Sequence, residues 1–341
     1  MNVNELTATQ LADWTRWVCR NSLRGIKELE LLSVMLDKGL SHALASKLIL
    51  DVKSHPIFEG ALPVSWRVKN LEALLNVRLA LANQRGERHL VDRCSSLSAN
   101  VFHRDFYVAN KPVVVEGMLH QWPALGKWTP EYFRERLGEV PVEIQSSRKS
   151  SPVYEVFLKG HSKSVRLGQF VDMVLSGGET NEYYLTANDR FLERDGAAVL
   201  KDDYWAPSQY MHSDDREGKE FLWFGPQGAV SPLHRDRLNV LMTQVYGRKI
   251  VKLIPSLALH LVYNHESFFS EVDCENPDFE RFPLFAGAPV MEAEIGPGDA
   301  LLIPVGWWHH IRSLDISISL SFTNFLFPND FEDLFRHQIE Q

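Results

Sequence analysis

Two short windows hold the side chains of this 341-residue chain whose types and spacing could do chemistry. In GAVSPLHRDRLNVLMTQVYGRKIVKLIP (228–255), His234 and Asp236 stand two apart beside a strand-like run. Residues two apart on an extended chain point the same way, so both can reach one metal ion. In GPGDALLIPVGWWHHIRSLDISISLSF (296–322), a turn and a buried run lead into a Trp-Trp-His-His cluster, where His309 or His310 is the natural third ligand. Two histidines and a carboxylate with positions left open is the donor set of non-haem Fe(II) oxygenases, and the same set can hold zinc. The alternatives are a chance pairing of His with Asp, and a buried aromatic and histidine patch that closes a barrel.

A lysine sharpens the choice. In KIVKLIP (249–255), alternation puts Lys249, Val251 and Leu253 on one face and Ile250 and Lys252 on the other. If the Val251 face is core, the Lys249 ammonium enters it at a cost that an anion must offset. A metal with a buried lysine nearby fits a small dicarboxylate, which chelates the metal at one end and pairs with lysine at the other. In the opposite phase Lys249 is solvated, and alternation alone allows either. A zinc hydrolase would have no use for the lysine, and no Ser-His-Asp or Cys-His signature is present.

The elements that must position these residues come in two styles. Residues 1 to about 90 read as helical, with Leu11, Trp14, Trp17 and Val18, then Leu44 and Leu48, then Leu71, Leu74 and Leu75 at helical spacings. Pro56 and Pro63 interrupt the pattern, with Gly60 between them, so the region is expected to be several short helices. From about residue 95, short β-rich runs alternate with turns: 111–117, 140–145, 181–186, 221–225, 239–247, 249–255, 291–296, 300–304 and 315–322. One helix is expected among them, capped by Thr129, with Pro130 in its first turn and Gly138 at its end. No βαβ rhythm or glycine-rich phosphate loop supports a Rossmann fold, and many closely spaced strands indicate an antiparallel barrel or sandwich. The last residues, NDFEDLFRHQIEQ, suggest a terminal helix with Phe331, Leu334, Phe335 and Ile339 on one face.

Composition narrows the function classes. Hydrophobic residues at 45% and charged residues at 23% are globular proportions. Lys and Arg total 36 against 44 Asp and Glu, a formal charge of −8, which speaks against a grip on nucleic-acid phosphates. Cys19, Cys94 and Cys274, scattered and without a CxxC, suggest neither a disulfide framework nor a cysteine zinc site. No apolar stretch reaches the length of a membrane span, and MNVNELTATQ lacks the basic and apolar regions of a signal peptide. A cytoplasmic protein is expected.

These motifs, in this order, resemble the JmjC and cupin-like dioxygenases that depend on Fe(II) and 2-oxoglutarate, most of all the small hydroxylase-type members such as the asparaginyl hydroxylase of hypoxia-inducible factor. The likeness covers roughly residues 97–327, from FHRDFYVANKPVVVEGMLHQWPALGKWTPEYF to WWHHIRSL and SISLSF. It implies a mainly β fold, a double-stranded β-helix (jelly roll) over 96–328, after a helical region (1–95) and before a C-terminal helix (329–341). The metal triad implied is His234, Asp236 and His309, with His310 as a neighbour. The lysine for the distal carboxylate of 2-oxoglutarate falls on Lys249, and further cofactor contacts fall on Ser231, Tyr184 and Ser321. Many members carry an Asn six residues after the first histidine. Here that position is Val240 and the Asn is Asn239, and a one-residue slip on a strand reverses the face. Asn239 is kept as a cofactor candidate.

The implied activity is hydroxylation of a peptide or protein side chain with O₂, giving succinate and CO₂. The alternatives are N-methyl-lysine demethylation and a non-catalytic cupin-like binding module. The expected partners are a peptide or protein substrate and a second copy of the chain, with neither nucleic acid nor membrane.

Overall fold

Apolar side chains at three- and four-residue spacing build the first of two units, which divide between Leu81 and Ala82. The computed structural model describes residues 6–84, 90–148, 160–264, 268–331 and 333–335. In the first unit, α1 (Ala8–Arg24) opens on a reciprocal cap between Thr7 and Gln10 and closes on Gly25 at φ 92°, where a left-handed residue favours glycine. It is followed by α2 (Glu28–Asp37), α3 (His42–Lys53, capped by the Ser41 hydroxyl) and α4 (Pro56–Gln84). Val18, Leu31, Met35, Leu44, Leu48, Ile49, Val52 and Phe58 form its core.

The expected division into several helices is found, with a boundary at Pro56, but the expected interruption at Pro63 does not occur. Pro56 is the first residue of α4, where its missing N–H costs nothing and its fixed φ suits the helix. Pro63 lies inside the helix and forfeits one backbone hydrogen bond, while Phe58 and Leu62 beside it are packed into the unit's core. Tertiary packing outweighs the local breaker.

The second unit is a jelly roll. Its six-stranded sheet runs in the order β1 (Asp92–Cys94), β2 (Val113–Val115), β11 (Ala300–Ile303), β8 (Val240–Tyr246), β13 (Ser317–Phe322), β6 (Glu220–Gly225). Its four-stranded sheet runs β10 (Met291–Ile295), β9 (Lys249–Ile254), β12 (Trp308–Ser313), β7 (Val230–Arg235). A small third sheet, β4 (Ser162–Arg166), β3 (Pro141–Ser146), β5 (Tyr183–Tyr184), brings Tyr184 to the barrel. The short helices α5 (Ala99–Val101) and α6 (Ala124–Lys127) lie in the connections. As expected, α7 (Pro130–Leu137) is capped by Thr129, whose hydroxyl accepts from the Tyr132 N–H, and ends at Gly138.

Alternation along β6 explains how the barrel wall is shared. Phe224 is buried against Phe133 of α7 and Phe170 of α8 (Leu167–Ser176), with ring centroids 5.5 and 5.3 Å apart, while Phe221 and Trp223 line a cavity. A separate cluster, including Val251, Leu253, Ile295, Leu301 and Ile303, is shared by strands of both main sheets. The Val251 face of β9 is therefore core.

Of the expected C-terminal helix face, Leu334 is exposed and Phe335 is half-buried beside Phe268, whereas Ile339 lies outside the described residues. No helix among the described residues is long and apolar enough to cross a membrane.

Candidate metal and cofactor site

Strands β7 and β12 pair so that His309 stands directly opposite His234, and their rings lie 4.1 Å apart. Asp236 follows at the end of β7, with its carboxylate oxygen 3.5 Å from His309 Nε2. One donor atom from each of the three falls within 4.8 Å of the others, and this is the only such His, Cys, Asp or Glu cluster among the described residues.

Both imidazoles are held in the same tautomer by backbone carbonyls. His234 Nδ1 donates to Pro232 O at 2.7 Å, and His309 Nδ1 donates to Trp307 O at 3.1 Å. Each ring therefore presents its Nε2 lone pair toward Asp236. Burial, reinforced by the neighbouring His234 ring, pushes the His309 pKa down to about 4, so the ring is neutral at physiological pH. Two neutral imidazole nitrogens and one carboxylate fit a first-row divalent cation such as Fe(II), with positions left for other ligands.

Local sequence explains why these side chains converge. The pairing of β7 with β12 shifts register between His309 and Ile311, which face His234 and Ser231. The extra residue on β7 is a bulge beside Pro232, which has no N–H to give to the ladder. It lets Ser231 and His234, three apart, line the same cavity. After Ile303, the turn into β12 places Gly306 at φ 76°, and the Gly306 N–H donates to Asp236 O at 3.1 Å. The carboxylate-bearing and imidazole-bearing segments are thus tied through their backbones.

The cavity has a volume of about 290 Å³ and lies between the two main sheets. Lys249 is 1% exposed and lines it, and its Nζ donates to the Tyr184 hydroxyl at 3.0 Å. No carboxylate among the described residues pairs with it. Burial lowers its pKa to about 7. Lys249 faces Ser313 across the sheet while His309 faces Leu253, four residues or about 13 Å further along β9. Lys252 is on the outer face, where its Nζ donates to Cys274 O at 3.0 Å.

Ser231 and Ser321 also line the cavity, with Ser321 Oγ accepting from Trp223 Nε1 at 2.9 Å. The alternation of FLWFG carries the signal that would have identified Phe221 and Trp223 as cavity residues. Gly225 matters for a reason that patterning hides: a Cβ there would stand 2.5 Å from Tyr184 Cδ2, so only glycine leaves room for the ring.

Two sequence candidates are not in the cavity. His310 is 3% exposed and faces away, opposite Lys252, with its pKa lowered to about 4 by burial. Asn239, placed among the cofactor contacts by resemblance, does not line the cavity either. Its side chain donates to Asn329 Oδ1 at 2.9 Å and accepts from the Val305 N–H at 2.9 Å. Its amide is committed to fastening the Asp236–Val240 loop to the turn before β12, and Val240 takes the cavity-facing place. The one-residue slip has reversed the face.

A profile of the cupin-like domain matches residues 98–332. The chain is 33% identical over 237 residues to a Xenopus tropicalis protein named lysine-specific demethylase 8, covering 67% of this chain and 51% of that protein. The Danio rerio protein of the same name is 34% identical over 240 residues (67% and 56%). An Arabidopsis thaliana protein named lysine-specific demethylase JMJ30 is 30% identical over 241 residues (68% and 54%). The chain spans about half the length of these curated relatives. The profile and the relatives agree with the His-Asp-His cavity in assigning it to one group: the chain belongs to the cupin-like JmjC family of Fe(II)- and 2-oxoglutarate-dependent oxygenases.

Proposed function

We propose that the protein is a 2-oxoglutarate-dependent hydroxylase acting on a side chain of a peptide or protein. His234, Asp236 and His309 hold ferrous iron in this reading. When bound, the iron couples oxidative decarboxylation of 2-oxoglutarate, with O₂ consumed and succinate and CO₂ released, to hydroxylation of a substrate C–H bond. Lys249 and the Tyr184 hydroxyl hold the distal carboxylate, and Ser231 and Ser321 offer further hydrogen bonds. The apolar walls, Phe221, Val240 and Met242 among them, exclude water from the reacting end.

The single observation that carries this reading is the buried ammonium of Lys249 in the same cavity as the three metal-ligand side chains. A non-catalytic module would keep such a lysine at a cost without return.

A second reading, N-methyl-lysine demethylation, draws support from the names of the relatives. It begins with the same C–H hydroxylation, on an N-methyl group, and ends with release of formaldehyde. The charges lining the cavity favour the first reading. Besides Lys249 they are Arg237 and Asp236, and the metal would neutralise Asp236, leaving no described carboxylate to receive a methylammonium. A neutral or acidic substrate side chain meets no such mismatch.

The test is incubation of the protein with Fe(II), 2-oxoglutarate and peptide libraries under air, read by mass spectrometry. One added oxygen on an unmethylated peptide, matched by succinate, supports hydroxylation. Formaldehyde with loss of a methyl group, and no oxygen addition, contradicts it in favour of demethylation.

A further inference from the structure

The three metal-ligand side chains are not held alike. His234 and His309 each have Nδ1 bonded to a backbone carbonyl, which fixes the ring. The Asp236 carboxylate meets no hydrogen-bond donor among the described residues, and its side chain is 39% exposed. Its direction is therefore set by the backbone of the short connection from β7 to β8. Whatever fixes that backbone fixes the ligand.

Asn329, beyond the end of β13, grips this connection. Its Oδ1 accepts from the Asn239 N–H at 2.8 Å, and its Nδ2 donates to Asn239 O at 3.0 Å. One side-chain amide thus makes the pair of bonds that a neighbouring strand would make to that residue. The same Oδ1 accepts from Asn239 Nδ2 at 2.9 Å, and the same Nδ2 donates to Thr323 O at 3.0 Å. Four bonds use the full capacity of the amide. They join two parts of the cavity wall, since Leu238 and Val240 line it from one segment and Thr323 from the other. Asn239, 1% exposed, passes the restraint on to the turn before β12 through its bond from the Val305 N–H. In that turn the Gly306 N–H donates to Asp236 O. The Tyr107 hydroxyl donates to Pro328 O at 3.1 Å and holds the residue before Asn329.

We propose that Asn329 is a positioning residue for the metal: by clamping the Asn239 backbone it fixes the connection that aims the Asp236 carboxylate at the position His234 and His309 face. The inference rests on the three-residue metal site and is independent of which substrate is oxidised.

Calorimetric titration of the full chain with Ni(II) tests this, with circular dichroism to verify that each variant is folded. Ni(II) binds nitrogen ligands more tightly than Fe(II) or Mn(II), so binding stays measurable after the carboxylate is lost. Asn329→Ala and the near-isosteric Asn329→Leu are each expected to weaken the metal by roughly tenfold, the scale of a lost outer-shell partner. Asp236→Ala removes the ligand itself. In that background Asn329→Ala is expected to cost less than about twofold more, because its effect runs through Asp236. Tyr210→Phe loses a buried hydrogen bond to Leu97 O away from the cavity, and is expected to lower stability in urea while binding metal as wild type does. Wild-type metal affinity in either Asn329 variant overturns the proposal, as does a loss just as large in the absence of the Asp236 carboxylate. An equal loss in Tyr210→Phe would mark general destabilisation and overturns it too. A wild-type protein that takes up no divalent metal contradicts the metal site itself, and this inference with it.

Discussion

Burial acts alike on the two ends of the cavity, with opposite consequences. At the metal end it pushes the His309 pKa down to about 4. At the other end it pushes Lys249 down to about 7. For an imidazole, losing the proton creates the lone pair that a metal needs, so burial prepares the site in advance. For an ammonium, losing the proton removes the charge that an anion needs, so burial leaves that end incomplete until a ligand arrives. One end is preorganised by desolvation, and the other is held in tension by it.

Removing a ligand at the prepared end has the largest expected effect. His309→Ala should weaken Fe(II) or Mn(II) binding by well over the ten- to hundredfold that loss of an outer-shell partner costs, while His310→Ala should retain most of it. Calorimetric metal titration under nitrogen measures both, and the reverse ranking would break the assignment of the triad.

The lysine end should reveal itself through pH. The charged form binds a carboxylate, and the free protein loses that form as pH rises through about 7. Affinity for 2-oxoglutarate should therefore fall by up to about tenfold per pH unit above 7 in wild type, but not in Lys249→Met. Stability runs the other way. Between about pH 7 and 10.5 the unfolded chain holds a proton that the folded chain has shed, so the ligand-free protein should gain stability over that window relative to Lys249→Met. Parallel pH profiles of the two proteins would contradict the depressed lysine.

Smaller effects sharpen the same contrast. Asn239→Ala leaves the Val305 N–H without its acceptor and should cost about 1–3 kcal/mol in urea unfolding, with little change in affinity for 2-oxoglutarate. Tyr184→Phe removes the hydroxyl that accepts from Lys249 and, in the proposed reading, donates to the distal carboxylate, and should weaken 2-oxoglutarate by roughly tenfold without altering metal affinity.

The sequence made the barrel and its chemistry legible to different degrees. Runs such as MEAEI and SISLSF alternate or stay apolar, and each of the nine expected strand windows overlaps one observed strand. The two strands that bear the histidines, Val230–Arg235 and Trp308–Ser313, fall in none of the expected windows. Their polar and proline residues, placed there to bind and to bulge, erase the alternation by which strands are recognised. His234 and Asp236 were nonetheless legible by spacing, because i and i+2 share a face. Choosing between Lys249 and Lys252 required knowing that the Val251 face is core, which only the packing of β9 against its neighbours reveals. Pro63 reads as a local breaker in the sequence because the contacts of Phe58 and Leu62 that carry α4 past it are tertiary.

The central claim is that one cavity takes a divalent metal at His234, Asp236 and His309 and a dicarboxylate at Lys249. It is tested most directly by titrating 2-oxoglutarate into the Fe(II)-loaded protein under nitrogen and following the metal-to-ligand charge-transfer absorbance, in wild type, Lys249→Ala and Lys252→Ala. A charge-assisted pair in a closed site is worth about 1.5–3 kcal/mol, so Lys249→Ala should bind 2-oxoglutarate roughly ten- to a hundredfold more weakly. Iron binding should be retained, and Lys252→Ala should match wild type. Equal affinity in wild type and Lys249→Ala would contradict the account.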